Sequence, residues 1–332
     1  MTRRAAGLAA VLVLLACSRA TVPAPVQDPL PSWNDGPAKQ AITAFVADAV
    51  KAGPAHIPPS LRIAVFDNDG TLWAEQPMYF EGVFALDQAR AMATANPALR
   101  RKAPFKAIAD NDRKAMAAFT EKDILALVAA THSGMTTEAF TAGVRGWLAA
   151  ARHPRFGRPY TDLVYQPQLE LLRYLRANGF KTFIVSGGGV DFIRAFAEDA
   201  YGVPPEQVIG SSGKTRFEAT DGKAELIKLP ELGSIDDGEG KPENIGLQIG
   251  RRPVLAVGNS DGDLAMLQYA AAGGGPNLEL LVHHDDAGRE YAYDRASKIG
   301  TLDKAWDEAV RRRWVVVSMR RDWKTVFPPP AR

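Results

Sequence analysis

Cysteine, net charge and long apolar runs are all scarce in this sequence of 332 residues. The single cysteine, Cys17, has no second cysteine with which to form an internal disulfide. A net charge of +2 gives no basic surface of the kind that binds nucleic acid. The apolar run at residues 5–16 is shorter than the ~20 residues that span a bilayer. With 46% hydrophobic and 23% charged residues, the composition is that of a soluble globular protein, not of a membrane bundle or a disordered chain.

The beginning of the sequence has the features of an export signal. Two arginines precede the apolar segment, and small residues lead to Cys17. Residues 14–17 resemble the lipobox of bacterial lipoproteins, in which the cysteine becomes the lipidated first residue of the mature chain. We therefore expect residues 1–17 to be a signal peptide, and the protein to be exported to the periplasm or cell envelope and anchored to a bacterial membrane by lipid on Cys17. The alternative is cleavage after Ala20, which would remove the cysteine with the signal.

Proline dominates the next segment, and an α/β pattern follows it. Residues 18–37 lack apolar periodicity, so we predict a tether. A helix is expected at residues 38–51. Short apolar runs then alternate with helical patterns, and this alternation predicts a Rossmann-like, doubly wound parallel sheet. The predicted strands are residues 61–66, 181–185, 254–257, 278–283 and 314–318.

Two segments interrupt the alternation. Residues 75–159 are rich in alanine and charged residues with helical spacing, which predicts a helical insertion after the first strand. Residues 216–229, with a turn near their middle, predict an appended β-hairpin. The core domain would then consist of residues 38–74 and 160–332.

Two carboxylates directly follow the first predicted strand. In a parallel sheet, ligands bind at the carboxyl ends of the strands, so Asp67 and Asp69 can face one pocket. One carboxylate can attack a phosphoryl group and the other can donate a proton to the departing alkoxide, with a metal offsetting the repulsion. The alternative is a simple turn, because Asp, Asn and Gly are common turn residues.

Anion-binding groups follow further along the chain. Ser186 and Gly187 come directly after a predicted strand and before a helix, which suits a phosphate-binding turn. An ordinary helix cap is the alternative. Lys241, at the start of the helix before the third strand, could supply the cation that holds nucleophile and phosphoryl group together. A solvated surface lysine is the alternative.

Oxygen-bearing side chains follow the third predicted strand. Asn259, Asp261 and Asp263 could supply the carboxylate and carbonyl oxygens that Mg²⁺ prefers. A calcium loop or a turn would use the same residues. Adjacent His283 and His284 would point to opposite faces of a strand, so we expect no zinc ion shared between them.

Taken in order, these groups resemble the four sequence motifs of the haloacid dehalogenase superfamily, and most closely those of its phosphoserine-phosphatase-like branch. The resemblance covers roughly residues 61–267. It implies a core of this fold with residues 75–159 as its helical cap. It also implies that the protein is a Mg²⁺-dependent phosphatase that acts on a small phosphorylated metabolite through an aspartyl phosphate. Phosphotransfer to another acceptor is one alternative, and a non-catalytic envelope lipoprotein with a binding scaffold of this fold is another.

The resemblance also implies a role for each residue. Asp67 would be the nucleophile and a Mg²⁺ ligand, while Asp69 would be the general acid/base and lend its backbone carbonyl to the metal. Thr71 would help to orient Asp69. The phosphoryl oxygens would be bound by Ser186, the Gly187 N–H and Lys241.

The fourth motif departs from the pattern of its relatives. They usually place a metal-binding aspartate directly after the glycine, where this chain has Asn259. Either the amide oxygen of Asn259 or the carboxylate of Asp261 would then bind the metal, with Asp263 behind it or paired with Lys241. In the insertion, Glu75 and Glu81 are candidates for substrate contact, with an exposed helix face as the alternative.

Overall fold

The computed structural model describes residues 28–220 and 222–330, without the side chains of Glu121 and Leu125. Within these residues the strands form one sheet in the order β4-β3-β2-β1-β5-β6-β7, and β8 pairs with β6. The central pairs β1 with β2, β1 with β5 and β5 with β6 are parallel, which confirms the predicted α/β fold class. The strands are β1 (Ile63–Phe66), β2 (Lys181–Gly189), β3 (Val208–Thr220), β4 (Lys223–Ser234), β5 (Leu255–Gly258), β6 (Leu278–Asp285), β7 (Ala292–Tyr293) and β8 (Val315–Ser318).

Helices cover both faces of the sheet and form the insertion. The helices of the core are α1 (Pro37–Val50), α8 (Gln166–Ala177), α9 (Val190–Arg194), α10 (Ala197–Tyr201), α11 (Gly240–Gln248), α12 (Leu264–Ala271), α13 (Lys304–Arg312) and α14 (Met319–Asp322). Those of the insertion are α2 (Phe80–Ala95), α3 (Pro97–Arg100), α4 (Phe105–Ala109), α5 (Arg113–Ala117), α6 (Glu121–His132) and α7 (Thr137–Ala150). None of the described helices is long and apolar enough to cross a membrane.

Strand β1 shows why the sheet must be covered on both sides. All four of its residues are buried, and they alternate between two cores. Ala64 and Phe66 pack in the larger core, whereas Ile63 and Val65 pack in the smaller one on the other face. A strand buried on both faces reads as a continuous apolar run, as expected for a parallel sheet. The polar residues that follow β1, starting with Asp67, therefore lie at the carboxyl edge of the sheet.

The insertion between β1 and β2 is helical, as predicted. Its helices enclose a small core of their own around Ala89, Phe105, Ile108 and Leu127. The insertion also contacts the hairpin formed by β3 and β4, because the N–H of Gly134 donates to the Lys228 carbonyl at 2.9 Å and the Lys228 N–H donates to the Met135 carbonyl at 2.9 Å. The cap and the hairpin thus form one continuous wall.

Several element bounds differ from the sequence predictions. The hairpin consists of β3 and β4 and extends beyond the predicted residues 216–229. The first residues of β3 pair with β2 in parallel, and the strand then continues into the antiparallel pair with β4. Residues 190–201 form two short helices, α9 and α10. Helix α13 and strand β7 were not predicted.

The later part of the predicted tether is packed against the core. Leu30 and Trp33 are fully buried, and Trp33 Nε1 donates to the Pro167 carbonyl at 3.0 Å. The Trp33 ring also meets the Trp323 ring edge to face, with centroids 6.0 Å apart. The proline content of this segment predicted a tether, but two large apolar side chains bind its later part to the core. The predicted signal, Cys17 and residues 18–27 of the tether lie outside the described residues.

Candidate active site

A buried lysine holds two aspartates together at the carboxyl edge of the sheet. Lys241 Nζ lies 2.6 Å from Asp67 Oδ1 and 2.6 Å from Asp263 Oδ1. It also donates to the Val185 carbonyl at 2.9 Å. Asp67 follows β1, Asp263 follows β5, and Lys241 begins α11, so three separate elements meet here. Lys241 is 1% exposed and is among the largest fully buried side chains of the described residues.

The charges in this cluster do not balance. Burial alone would lower the pKa of Lys241, but the charges of Asp263 and Asp67 outweigh burial and raise it. The pKa of Asp67 is raised well above its usual value, first by burial and then by the charge of Asp263, against the attraction of Lys241. One lysine is shared by two buried carboxyl groups, so a further cation beside Asp67 would favour the ionised form of that carboxyl group.

Asp69 is buried, so its carboxyl group keeps its proton to a higher pH than an exposed aspartate does. Its Oδ1 accepts a hydrogen bond from Trp73 Nε1 at 2.8 Å. Burial and the charge of Glu81 raise the pKa of Asp69 to about 6, although the Trp73 hydrogen bond opposes this shift. A carboxyl group with such a pKa can both donate and accept a proton under physiological conditions.

The carboxyl end of β2 carries the predicted phosphate-binding groups Ser186 and Gly187, which lie within this strand and not after it as predicted. Ser186 is buried, and its Oγ accepts the Gly188 N–H at 3.1 Å. A Cβ at position 188 would lie 3.4 Å from both Asp69 Oδ2 and Ser186 Oγ and 3.3 Å from Glu81 Oε2. Polar groups of the core and the cap therefore converge on a glycine. The N–H of Gly189 donates to Glu81 Oε2 at 2.7 Å, which joins the cap to the carboxyl end of β2.

Thr71 contacts Asn259, whereas the prediction placed it beside Asp69. Thr71 Oγ1 donates to Asn259 Oδ1 at 3.0 Å, and Asn259 Nδ2 donates to Glu75 Oε1 at 2.8 Å. Tyr293 also donates to Glu75 Oε1 at 2.8 Å. Glu75 is 2% exposed, so it is a buried member of the site and not part of an exposed helix face. Burial raises the pKa of Glu75 well above its usual value.

The two aspartates of the fourth motif have other partners than the predicted metal. Asp261 Oδ1 accepts the N–H groups of Asp303 at 3.0 Å and Ala305 at 2.9 Å, so this carboxylate caps the start of α13. Asp263 Oδ1 accepts from Lys241, and its Oδ2 accepts the Asn259 N–H at 2.9 Å. Asp263 is thus the partner of Lys241, and Asn259 is the residue of this motif that lies beside the loop after β1.

Three oxygen-bearing groups near the ends of β1 and β5 suit a hydrated magnesium ion. The described residues contain no group of three or more His, Cys, Asp and Glu side chains arranged to hold a metal. Mg²⁺, however, usually needs only one or two carboxylates and takes its other ligands from water and substrate phosphate. The Asp67 carboxylate, the Asp69 carbonyl and the Asn259 amide oxygen could supply such a set. A cation bound here would favour the ionised forms of Asp67 and Glu75, whose pKa values burial raises.

A buried histidine supports the loop after β1, and sequence reasoning missed this role. His284 Nε2 lies 2.8 Å from the Gly70 carbonyl oxygen, and its Nδ1 lies 3.2 Å from Glu290 Oε2. The His284 ring stacks on the Tyr293 ring with centroids 4.3 Å apart. Gly70 has a φ of +75°, and a Cβ there would collide with Asn259 and Glu75, so glycine is required for this close approach. No local sequence signal links His284 to a loop more than 200 residues earlier.

One cavity of about 530 Å³ brings most of the predicted site residues together. Asp67, Asp69, Ser186, Gly187, Lys241 and Asp263 all line it, and so do Glu75 and Glu81 of the cap region. Thr71 and Asn259 are buried beside the loop that carries Asp67 and do not line the cavity. Asp261 does not line it either.

The fold and this site define a class of α/β proteins in which polar groups gather at the carboxyl edge of a parallel sheet beneath a helical cap. A family model of haloacid dehalogenase-like hydrolases matches residues 64–268, which is more than half of the chain. The protein belongs to this family. Comparison with curated proteins gives no match.

Three solved structures are similar to this chain at low sequence identity, and one of them has a TM-score above 0.5. A protein of unknown function from Anaerococcus prevotii has 18% identity and a TM-score of 0.51, and the match covers 85% of this chain and 91% of that one. A protein of unknown function from Bordetella pertussis has 18% identity and a TM-score of 0.47, with 77% and 97% covered. A phosphoserine phosphohydrolase-like protein from Francisella tularensis has 14% identity and a TM-score of 0.38, with 79% and 95% covered.

Proposed function

We propose that this protein is a Mg²⁺-dependent phosphomonoester hydrolase that acts on a small phosphorylated metabolite through phospho-Asp67. The observation that carries the proposal is the contact of Lys241 Nζ with Asp67 Oδ1, at 2.6 Å, in a cavity that Asp69 and Ser186 also line. A nucleophile, a proton donor and an anion-binding hydroxyl then face one space. Membership of a hydrolase family supports the same chemistry.

In the first step the second carboxylate oxygen of Asp67 attacks phosphorus, and the bond from phosphorus to the ester oxygen breaks. Lys241 holds Asp67 Oδ1, so the attacking oxygen is fixed in direction. Asp69 donates its proton to the departing alkoxide, which leaves as the alcohol. The Ser186 hydroxyl, the Gly187 N–H and the Lys241 ammonium stabilise the charge on the phosphoryl oxygens.

In the second step Asp69, now ionised, takes a proton from water. The resulting hydroxide attacks phosphorus, and phosphate departs with both oxygens of the Asp67 carboxylate restored. Mg²⁺ bound by Asp67, the Asp69 carbonyl and Asn259 would supply Lewis-acid stabilisation of the phosphoryl charge. Asp69 thus returns to its protonated form at the end of the cycle.

The test is release of phosphate from p-nitrophenyl phosphate with Mg²⁺ and with a chelator. We expect turnover that needs the metal and that falls at least about 1000-fold in Asp67→Asn, because the amide cannot attack phosphorus. Asp48→Asn is the matched control, since Asp48 lies on the exposed face of α1. Full turnover by the Asp67→Asn protein, or by the wild type without any divalent metal, would refute the proposal.

We also propose export and lipid anchoring at Cys17. The positive start, the apolar segment and the lipobox-like ending of residues 1–17 support this proposal. Labelled palmitate should enter the protein in bacterial cells and should be absent from Cys17→Ser. Label that persists in the serine variant would contradict it.

A further inference from the structure

The cavity is far larger than the phosphoryl group that the catalytic residues would bind. Its volume is about 530 Å³, whereas a phosphoryl group occupies roughly three or four water-sized volumes of ~30 Å³. Most of the space therefore belongs to the alcohol part of the substrate. The backbone hydrogen bonds between Lys228 and residues 134–135 hold the far wall in place, so this space is formed before any ligand binds.

The outer part of the wall is apolar and unusually exposed. Val128 of the cap and Leu232 and Ile235 of the hairpin region line the cavity, with exposures of 36%, 47% and 60%. Tyr79, at 43%, lies on the same cavity. Exposed apolar side chains that converge on one cleft mark a binding surface for an apolar group.

The charges of the wall oppose a second anion. Eight carboxylate side chains and two lysines line the cavity among the described residues. Lys228 is paired with Asp191, and Lys241 is paired with Asp67 and Asp263, so neither lysine is left for a second anionic group. Among the carboxylates outside the catalytic groups, Glu81 contacts the carboxyl end of β2 through the Gly189 N–H, and His132 Nε2 lies 3.4 Å from Glu81 Oε1.

Resting on the proposed function, we infer that the substrate is the monophosphate of an amphipathic alcohol, with an apolar body and no second anionic group. The phosphate would lie beside Asp67 and Ser186, and the apolar body would lie against Val128, Leu232 and Ile235. Bisphosphates and phosphorylated acids would be rejected, because the second anion would meet Glu81 and its neighbours in a partly desolvated space.

A series of benzyl phosphates tests this inference with alkoxide leaving groups of similar reactivity. We expect kcat/KM for 4-methylbenzyl phosphate to exceed that for 4-carboxybenzyl phosphate at least about 30-fold, which corresponds to about 2 kcal/mol. Glu81→Gln, which keeps an oxygen to accept the Gly189 N–H, should reduce this ratio several-fold. Glu138→Gln, on an exposed part of α7 outside the cavity, should leave it unchanged.

The apolar side has its own matched pair of variants. Ile235→Ser should lower kcat/KM for 4-methylbenzyl phosphate about ten-fold and leave that for glycerol phosphate unchanged, because only the first ester has apolar area to bury. Val310→Ser, at a 63% exposed position on α13 outside the cavity, should change neither.

The outcomes separate this inference from the proposed function. Turnover of all these esters with kcat/KM values within about three-fold of one another would overturn the inference and leave the proposed hydrolase activity intact. If no ester is turned over, the proposed function fails. Binding of 4-methylbenzyl and 4-carboxybenzyl phosphonates to the Asp67→Asn protein, measured by calorimetry, then decides the inference. Equal affinities would overturn it, and preference for the methyl compound would support it.

Discussion

Replacing Lys241 with methionine should destabilise the fold strongly, and the cost should depend on pH. The substitution keeps an unbranched side chain that is one atom shorter, and it removes the only cation in contact with Asp67 and Asp263 among the described residues. Breaking a buried ion pair by removing one partner costs about 3–5 kcal/mol, because the remaining charge is left buried without compensation. Two carboxylates remain here, so we expect the upper end of this range at pH 8.

The pH dependence follows from the carboxylates that remain. The pKa of Asp67 is already raised in the folded protein, and it should rise further without the lysine. Between its usual pKa of 3.8 and the raised value, the folded state binds a proton that the unfolded state has released, so stability falls as pH rises through this window. The variant should therefore lose less of the wild-type stability at pH 5 than at pH 8.

Urea unfolding at the two pH values measures both effects, and Lys39→Met is the matched control. Lys39 Nζ also contacts two aspartates, Asp28 at 2.6 Å and Asp35 at 2.9 Å, but these side chains are 43% and 86% exposed. Exposed pairs contribute about 0–1 kcal/mol, so the control should lose little stability at either pH. A Lys241→Met cost below about 1 kcal/mol at pH 8, or a cost equal to that of the control, would refute the reasoning.

Three further predictions concern single carboxyl groups. Asp69→Asn should lower kcat/KM for benzyl phosphate about 100-fold more than that for p-nitrophenyl phosphate, because the poorer leaving group needs the proton in the first step. Equal losses in kcat/KM for the two esters would contradict the acid role. Asp261→Ala should lower the free energy of unfolding by about 1 kcal/mol, because the start of α13 loses its cap. The Mg²⁺ concentration for half-maximal activity should not change. A large increase in that concentration would show that Asp261 binds the metal. Burial raises the pKa of Glu279 to about 7, so the folded state loses stability as pH rises from about 4.5 to 7. In urea unfolding, Glu279→Gln should therefore be more stable than the wild type at pH 8, by on the order of 2 kcal/mol, and equal to it at pH 4. An equal gain at both pH values would contradict this account.

Sequence reasoning located the main site residues because topology constrains them. The carboxyl ends of parallel strands share one edge, so Asp67 and Ser186 must lie near each other once β1 and β2 are adjacent. Lys241 follows a different argument, since the chemistry needs a cation and this lysine lies at the predicted start of the helix before the third strand. The structure brings all three to one cavity, and their chemical roles stay predictions.

The fourth motif could not be resolved from the sequence. Asp261 and Asp263 lie in a short 3-10 turn, in which residues two apart point in different directions. Asp261 then reaches the start of α13, a helix that the sequence did not predict. Thr71 and Asn259 likewise meet across 188 residues of chain, and a local pattern does not carry such a contact.

The supports of the active site extend beyond the segment that defines the family. The matched region ends at residue 268, yet His284 and Tyr293 contact the loop after β1 and Glu75 from the far side. Strand β6 also pairs with β5 through four residues, so it buries the backbone edge next to the turn that carries Asp263. An unpaired buried N–H or C=O group costs about 1–3 kcal/mol, and several would be exposed without β6. The geometry at Asp67 therefore depends on packing supplied by residues 278–318 as much as on the motifs themselves.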